Sequence, residues 1–479
     1  MTLDTNKLIF AAFRGLFFCK RVLILISAYS SIAISGQFSV FLPTVEVEEV
    51  VYSYSFANNG AGPLWDYGSS NIVSLLGQIF VSGVQTLIDA IPQNNVMCNV
   101  WKRGSHGWEL FYSDIYRTRE PCPLVTFQKS KKVFISTNPT LIPPNMMTGP
   151  SLPTIVEFVI DGESQTPINS YPVWRGSGDV FSEHSYRSFS ADGDVDELIL
   201  FNNVEYSHAE WSFQDYRHNA VVQGQLKWPW GSEYEIPKFN RICYPNVVLR
   251  NRAVHFVGVS DIEEPDENWR RFKYGLTGNK TDYVFRRLFY TWNADIARNN
   301  FSDWLEISSR ESTGGWITPG DLWLDDKGDA HIVWAEVALD PRLRDRFFPE
   351  QKQRWEMNYA VVHAGKVVFR KTFLAADEGE KGPIPRLPRF HVTPDGRLFV
   401  FFYVNGTNES GAEISENRLI EIYSDGSYSQ MIRVPLVHPL ENYMTATVRA
   451  GSAPSFLLDL IGTEPGHSNT IRYARVRLN

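Results

Sequence analysis

Cysteine is scarce in this sequence: four in 479 residues, with no CxxC spacing. That excludes a disulfide framework and a cysteine-built structural zinc centre. Of the four, Cys98, Cys122 and Cys243 follow the N-terminal region. Three buried thiols are the favoured outcome, with a Cys98–Cys122 bridge as the alternative. Dense basic runs are also missing. The net charge is −8 and the sequence pI is near 5.8, so neither nucleic acid nor an anionic membrane surface is an expected partner. Long apolar runs are missing too. The best is VLILISAYSSIAIS, Val22 to Ser35, behind Lys20 and Arg21. It is too short for a confident spanning helix. With Ala33 and Ser35 at the −3 and −1 places before Gly36, it reads as an export signal over residues 1–36, with a retained N-terminal anchor as the alternative. The expected protein is then secreted or periplasmic, monomeric, and without a stable membrane span after cleavage.

What is plentiful is a repeated unit. An apolar strand, a tight turn and a second apolar strand return seven times. NIVSLLGQIFVSG from Asn71, FHVTPDGRLFVFFYV from Phe390 and TATVRAGSAPSFLLDLI from Thr445 are three of the copies. The turns centre near Gly77, Ser130, Gly193, Asn251, Lys327, Asp395 and Gly451. A more variable hairpin follows most copies, for example MNYAVVHAGKVVFRKTF from Met357. Two hairpins make a four-stranded blade, and blade-sized repeats of strands predict an all-β, seven-bladed β-propeller over residues 37–479. The last blade is one strand short, because the chain ends at Asn479. The segment VEVEEVVYSYSF, Val45 to Phe56, is a strand without a hairpin. It is expected to close the ring by completing that last blade, since an open edge would leave N–H and C=O groups unpaired.

Sites on such rings gather where loops precede the inner strands. The residues at those places share a character. Arg119 and Glu120 precede the second inner strand, and Glu183, His184, Tyr186 and Arg187 the third. Arg241, Tyr244 and Asn246 stand at the fourth, Trp316 and Asp321 at the fifth. Arg386, Arg389 and His391 come at the sixth. Convergent arginines predict an acidic ligand, gripped through carboxylate or sulfate. Aromatics form 14% of the chain, which suits stacking on sugars as well as blade packing. The sharpest constellation spans two blades. His184 precedes an inner strand, His208 follows the paired second strand, and Tyr244 opens the next blade ahead of Pro245. Two imidazoles and a phenol at neighbouring mouths form an acid–base set.

On His184, His208 and the Tyr244-Pro245 dipeptide, the layout resembles the secreted BNR-type seven-bladed propellers, which include ulvan lyases and related uronate-cleaving polysaccharide lyases. An arginine usual in that group is replaced here by Ser260. The resemblance implies β-elimination on an acidic polysaccharide or oligosaccharide, with no cofactor and no metal. It implies catalytic roles for His184, His208 and Tyr244. Substrate contacts are expected from Arg119, Arg187, Arg241, Asn246, Trp316, Asp321, Arg389 and His391. Two other readings stand beside it. One is a sialidase- or rhamnosidase-like glycoside hydrolase using a carboxylate pair, although no S-x-D-x-G-x-T-W box occurs. The other is a non-catalytic glycan- or protein-binding propeller.

Overall fold

The computed structural model describes residues 42–478, apart from 66–67, 161–165, 177–180, 183–185, 230 and 232–239. The predicted export segment therefore lies outside the described residues. Among the described residues, no helix is long and apolar enough to cross a membrane.

The chain forms seven antiparallel sheets, each meandering outward from an inner strand. The inner strands, in order, are Ile72–Leu75, Leu124–Phe127, Arg187–Asp192, Asn240–Arg250, Gly314–Leu324, Pro383–Val392 and Asn442–Thr445. They define blades 1 to 7. Each packs beside the next, and the first packs beside the last. This is a closed seven-bladed propeller. Inner strands are almost wholly buried, as in blade 3. Outer strands alternate between more and less exposed side chains, as the two-residue pleat requires: Lys366–Asp377 begins with strict alternation of exposed and half-buried residues.

Closure comes from the N-terminus, as the missing seventh-blade strand required. Thr44–Ser53 pairs antiparallel with His467–Arg477, with Thr44 opposite Arg477 and Ser53 opposite Thr470. The seal is reinforced against blade 1. The Tyr52 ring stacks on Trp101 at 4.0 Å, and Glu49 accepts from Arg103 at 2.8 Å and from the Trp108 indole at 3.0 Å.

The blades share an internal device. In blade 4 the Tyr290 hydroxyl lies 2.7 Å from His255 Nδ1. In blade 5 Tyr359 lies 2.6 Å from His331 Nδ1, and in blade 7 Tyr473 donates to Asp459 at 2.5 Å. In each case the tyrosine bonds the residue two positions before its register partner on the neighbouring strand. A buried phenol needs an acceptor, and the same register supplies it three times.

The axis is filled rather than open. The turn after blade 7's inner strand crosses it. Ala450 O accepts from Thr126 of blade 2, and Ala191 of blade 3 bridges to Ala450. Arg449 reaches Asp321 of blade 5 at 2.8 Å and the Gly68 carbonyl of blade 1 at 2.5 Å. This plug leaves a cavity of about 1180 Å³ at the loop end and another of about 640 Å³ at the turn end.

Candidate functional site

The larger cavity is built on backbone irregularities in three successive inner strands. In blade 4 the register skips from Cys243–Val259 to Asn246–Val257. Tyr244 and Pro245 occupy the gap. Pro245 has no N–H to give the ladder, so a bulge is its natural place. Tyr244 takes the left-handed conformation, with φ of 51°, at a cost of about 1–2 kcal/mol for a residue with a side chain. Gly68 lies so close to the Pro245 carbonyl that a Cβ there would stand 2.2 Å from it. The bulge is thereby clamped. Blade 6 repeats the arrangement: Leu387, also left-handed with φ of 47°, precedes Pro388 in a skip between Arg386 and Arg389. Blade 5 skips between Pro319 and Asp321. Held non-glycine strain of this kind clusters at functional sites.

Aromatic faces dominate the wall. The Tyr244 ring stands edge-on to Trp65 at 6.0 Å and to Tyr186 at 5.3 Å, and lies near-parallel to Phe285 at 5.7 Å. Phe285 meets Trp316 at 4.5 Å, and Trp316 is 41% exposed. Trp355 and Tyr403 continue the lining. Burial pushes the Tyr186 phenol well above its usual range and raises Tyr283 as well, so both remain neutral hydroxyls.

Charge on the wall is balanced. Arg119, Arg241 and Arg386 are set against Asp261, Glu336 and Glu441. Arg119 bonds Glu120 at 2.8 Å and the Asn59 carbonyl at 2.9 Å. Burial holds the Glu120 carboxyl above its ordinary value despite that neighbour. Arg241 bonds Asp261 at 2.7 Å. Its guanidinium lies against the faces of Tyr186 at 4.7 Å, Tyr206 at 4.9 Å and Tyr283 at 5.9 Å. Arg386 is exposed and bonds the Asn405 amide oxygen at 3.2 Å; it has no carboxylate partner among the described residues. Glu336 is occupied by Arg310, Ser308 and the Trp334 indole, each at 2.5 Å.

Six of the residues singled out in the sequence meet in this cavity: Tyr244, Tyr186, Arg119, Arg241, Trp316 and Arg386. The others lie elsewhere or outside the described residues. His208 does not line it. Its ring is held by Ser207 Oγ at 2.7 Å and Glu210 at 3.1 Å, and Glu210 also caps the Arg175 backbone N–H. Arg187 is buried and spends its guanidinium on the Ser136 and Pro121 carbonyls. Arg389 is buried against the Gly320 carbonyl and Met444 sulfur. Asp321 belongs to the axial plug. His391 is buried, with Nε2 on the Ser455 carbonyl at 2.7 Å. Asn246 is fully buried beneath the Tyr244 carbonyl. His184 and Glu183 lie outside the described residues.

Sequence reasoning passed over Tyr206, Asp261, Tyr283, Phe285 and Trp355. Tyr283 and Phe285 follow the helix Glu267–Thr277 inserted into blade 4, and Tyr206 stands in a turn. No motif marked these five; the Leu387-Pro388 dipeptide, which repeats the Tyr244-Pro245 bulge two blades on, marks only the inner strands of the mouth.

No protein-family model matches the sequence, and no curated protein sequence does. Solved structures do match in shape. An ulvan lyase of the polysaccharide lyase group PL25 superposes with a TM-score of 0.52 at 8% identity, over 89% of this chain and 95% of its own. The polysaccharide lyase Uly1 gives 0.51 at 11% identity, over 91% and 93%. An α-L-arabinanase from Penicillium chrysogenum gives 0.42 at 11% identity, over 91% and 98%. In fold the chain resembles the ulvan-lyase propellers. At these identities the likeness concerns the architecture, and the chemistry of the mouth must be argued from its own residues.

Proposed function

We propose that the loop-end mouth binds an acidic polysaccharide and cleaves it by β-elimination, with Tyr244 moving a proton. The observation that carries this is Tyr244 itself: a phenol pinned in a strained bulge, on the wall of a large cavity faced with aromatic rings. Stacking platforms such as Phe285–Trp316 suit the flat C–H faces of sugars. Arg386, the wall cation without a carboxylate partner among the described residues, suits a uronate carboxylate.

In the proposed reaction a base takes the proton α to that carboxylate. The C–H electrons become the new C=C bond, the C–O bond to the leaving sugar breaks, and the departing oxygen takes a proton. A neutral phenol at Tyr244 supplies that last proton most simply. Arg386 stabilises the charge developing on the carboxylate. His184, two residues before the wall residue Tyr186 in sequence, is the base we propose, on sequence grounds.

Incubation with a panel of uronate-containing glycans should generate the ultraviolet absorbance of an unsaturated uronate. Tyr244→Phe should cut kcat by about a hundredfold or more, the usual scale of general acid–base catalysis, with KM little changed. New reducing ends without that absorbance would make the enzyme a hydrolase. A second reading, a glycan-binding propeller without turnover, is favoured by one observation: no imidazole lines the cavity among the described residues. Binding without any product, unaltered in Tyr244→Phe, would establish it.

A further inference from the structure

Blade 5 carries a row of side chains that the reaction above does not use. Trp316 of the inner strand stands opposite Val337 of Ala330–Leu339. Val337 stands opposite Trp355 of Arg354–His363, and Trp355 opposite Ala376 of Lys366–Asp377. Directly opposed residues of antiparallel strands share one face of the sheet. The four therefore form a line from the inner strand to the outermost one. The pleat decides which way it faces. One position along, the alternate row is Ile317, Glu336 and Glu356. That row faces blade 4. Ile317 is buried with Leu288 and Tyr290, and both glutamates bond Arg310, which follows blade 4's outermost strand Leu305–Ser309. Trp316, Val337 and Trp355 are thus turned to the other side, toward blade 6.

All three line the loop-end cavity, and so do Arg386, Tyr403 and Asn405 of blade 6. The cavity therefore runs outward from the axis between the two blades, with flat apolar faces on one wall and Arg386 on the other. Neither indole is sealed away: Trp316 is exposed and Trp355 half-buried. Phe285 backs Trp316 at the inner end. Paired apolar faces left open beside a cavity mark a binding surface rather than a core. Their spacing is informative too. Neighbouring strands lie about 4.8 Å apart, so two strands set the tryptophans about 10 Å apart. That is the advance of a disaccharide along an extended polysaccharide. An indole stacks on the C–H face of a sugar ring, which charged and neutral sugars both present.

We propose that Trp316 and Trp355 are consecutive stacking platforms for a polysaccharide chain, leading it from the axis out between blades 5 and 6. The occupant is the run of sugars beside the unit whose carboxylate meets Arg386. This rests on the glycan reading of the mouth and adds what that reading leaves open, a means of recognising chain length. Trp355 touches only sugars remote from the reacting bond, so it sets specificity and takes no part in the proton transfers.

The test uses the intact protein and size-graded ladders of galacturonate, alginate and glucuronan oligosaccharides, from disaccharide to octasaccharide. Titration calorimetry gives the affinity at each length. It should rise about tenfold when the chain is lengthened by the disaccharide that spans the platforms, and then level off. In Trp355→Ala the plateau should come a disaccharide earlier, so that the longest chains weaken about tenfold and the shortest change little. Trp355→Phe keeps a flat ring and should retain most of the dependence. Each protein is compared with itself across lengths, so a partly unfolded preparation cannot imitate the result. Three results would overturn the platforms: no binding by any ladder, affinity independent of length, or a length dependence that Trp355→Ala leaves intact. Length-dependent binding that Trp355→Ala shortens, with no unsaturated product, would remove the elimination and keep the platforms. Elimination with a kcat/KM independent of chain length would do the reverse.

Discussion

At the scale of single residues, burial decides what a titratable group does here. His255 shows this most clearly. Its ring is 4% exposed and bonded to the Tyr290 hydroxyl. Burial holds its pKa down to about 4, against an ordinary value of 6.5. Between those values the unfolded chain binds a proton at this site and the folded chain does not. Stability therefore falls as pH drops from about 6.5 to 4, by about 3 kcal/mol when the whole interval is crossed, and no further below it. Burial lowers His391 in the same direction, so the two effects add. Urea midpoints measured from pH 7 to pH 4 should decline, and His255→Gln should make that decline shallower even if it lowers stability at pH 7. An unchanged slope in the variant would show that the histidine is not held neutral. The same principle explains why a residue's place before an inner strand misled the reading of Arg187, Arg389 and Asp321. Sequence order put them near the mouth, as it did Tyr244. It did not say which side chains turn inward to satisfy backbone carbonyls or to fill the axis. Pleat direction changes by one residue at each bulge, and the bulges in blades 4 to 6 could not be counted beforehand.

Elements were far more legible. A hairpin is local: its strands alternate or run apolar, and its turn residues carry their own chemistry. The seven turns lie where Gly77, Asn251 and Gly451 announce them, each with positive φ. The closing strand was legible for a different reason, since a blade of three strands and a strand without a blade have one economical solution. The helix inserted into blade 4 after Glu263 breaks the strand repeat, and its role lies in what it covers. Asp266 caps Glu267–Thr277 by accepting from the Asn268 and Trp269 N–H groups, and Gly278 ends it with φ of 68°. Beneath it Lys273, 1% exposed, pairs with Glu264 at 2.6 Å and with Asp282, and Asp340 lies 3.8 Å away. Arg286 and Arg342 complete the cluster. Arg342, in the segment that follows blade 5's second strand, is half-buried and ties that segment to Asp282 beside the helix. Lys273→Met should cost about 3 kcal/mol, because it takes a buried cation from between two carboxylates and leaves Glu264 to Arg286 and Asp282 to Arg342 alone. Loss at the neighbouring exposed pair, Arg271 with Glu267, should pass almost unnoticed. Thermal melts of the two variants make the comparison, and equal shifts would mean that the cluster is solvated in solution.

The molecule as a whole is held at its rim by the Thr44–Ser53 strand and at its axis by the blade 7 turn. The axial tie has two components with different expectations. Gly451 has φ of 81°, and a Cβ there would sit against the Thr126 carbonyl, so the turn can approach blade 2 only as glycine. Arg449 and Asp321 are an ion pair with side chains 2% and 1% exposed. Removing one partner of such a pair strands the other charge in the interior, whereas replacing both with apolar groups of similar volume is often nearly neutral. Arg449→Met should therefore destabilise by about 3–5 kcal/mol, and Asp321→Leu by a similar amount. The double variant should recover much of that loss, since nothing charged is then left behind. The recovery will be incomplete, because Asp321 also accepts from the Phe390 N–H and Arg449 also donates to the Gly68 carbonyl. Those bonds tie blades 6 and 1 to the axis, the first being lost with Asp321 and the second with Arg449. Denaturant unfolding of the four proteins gives the coupling energy directly. Simple additivity of the two losses would show that the pair does not act as a unit. The ring would then owe its axial closure to the backbone contacts of residues 447–451 alone.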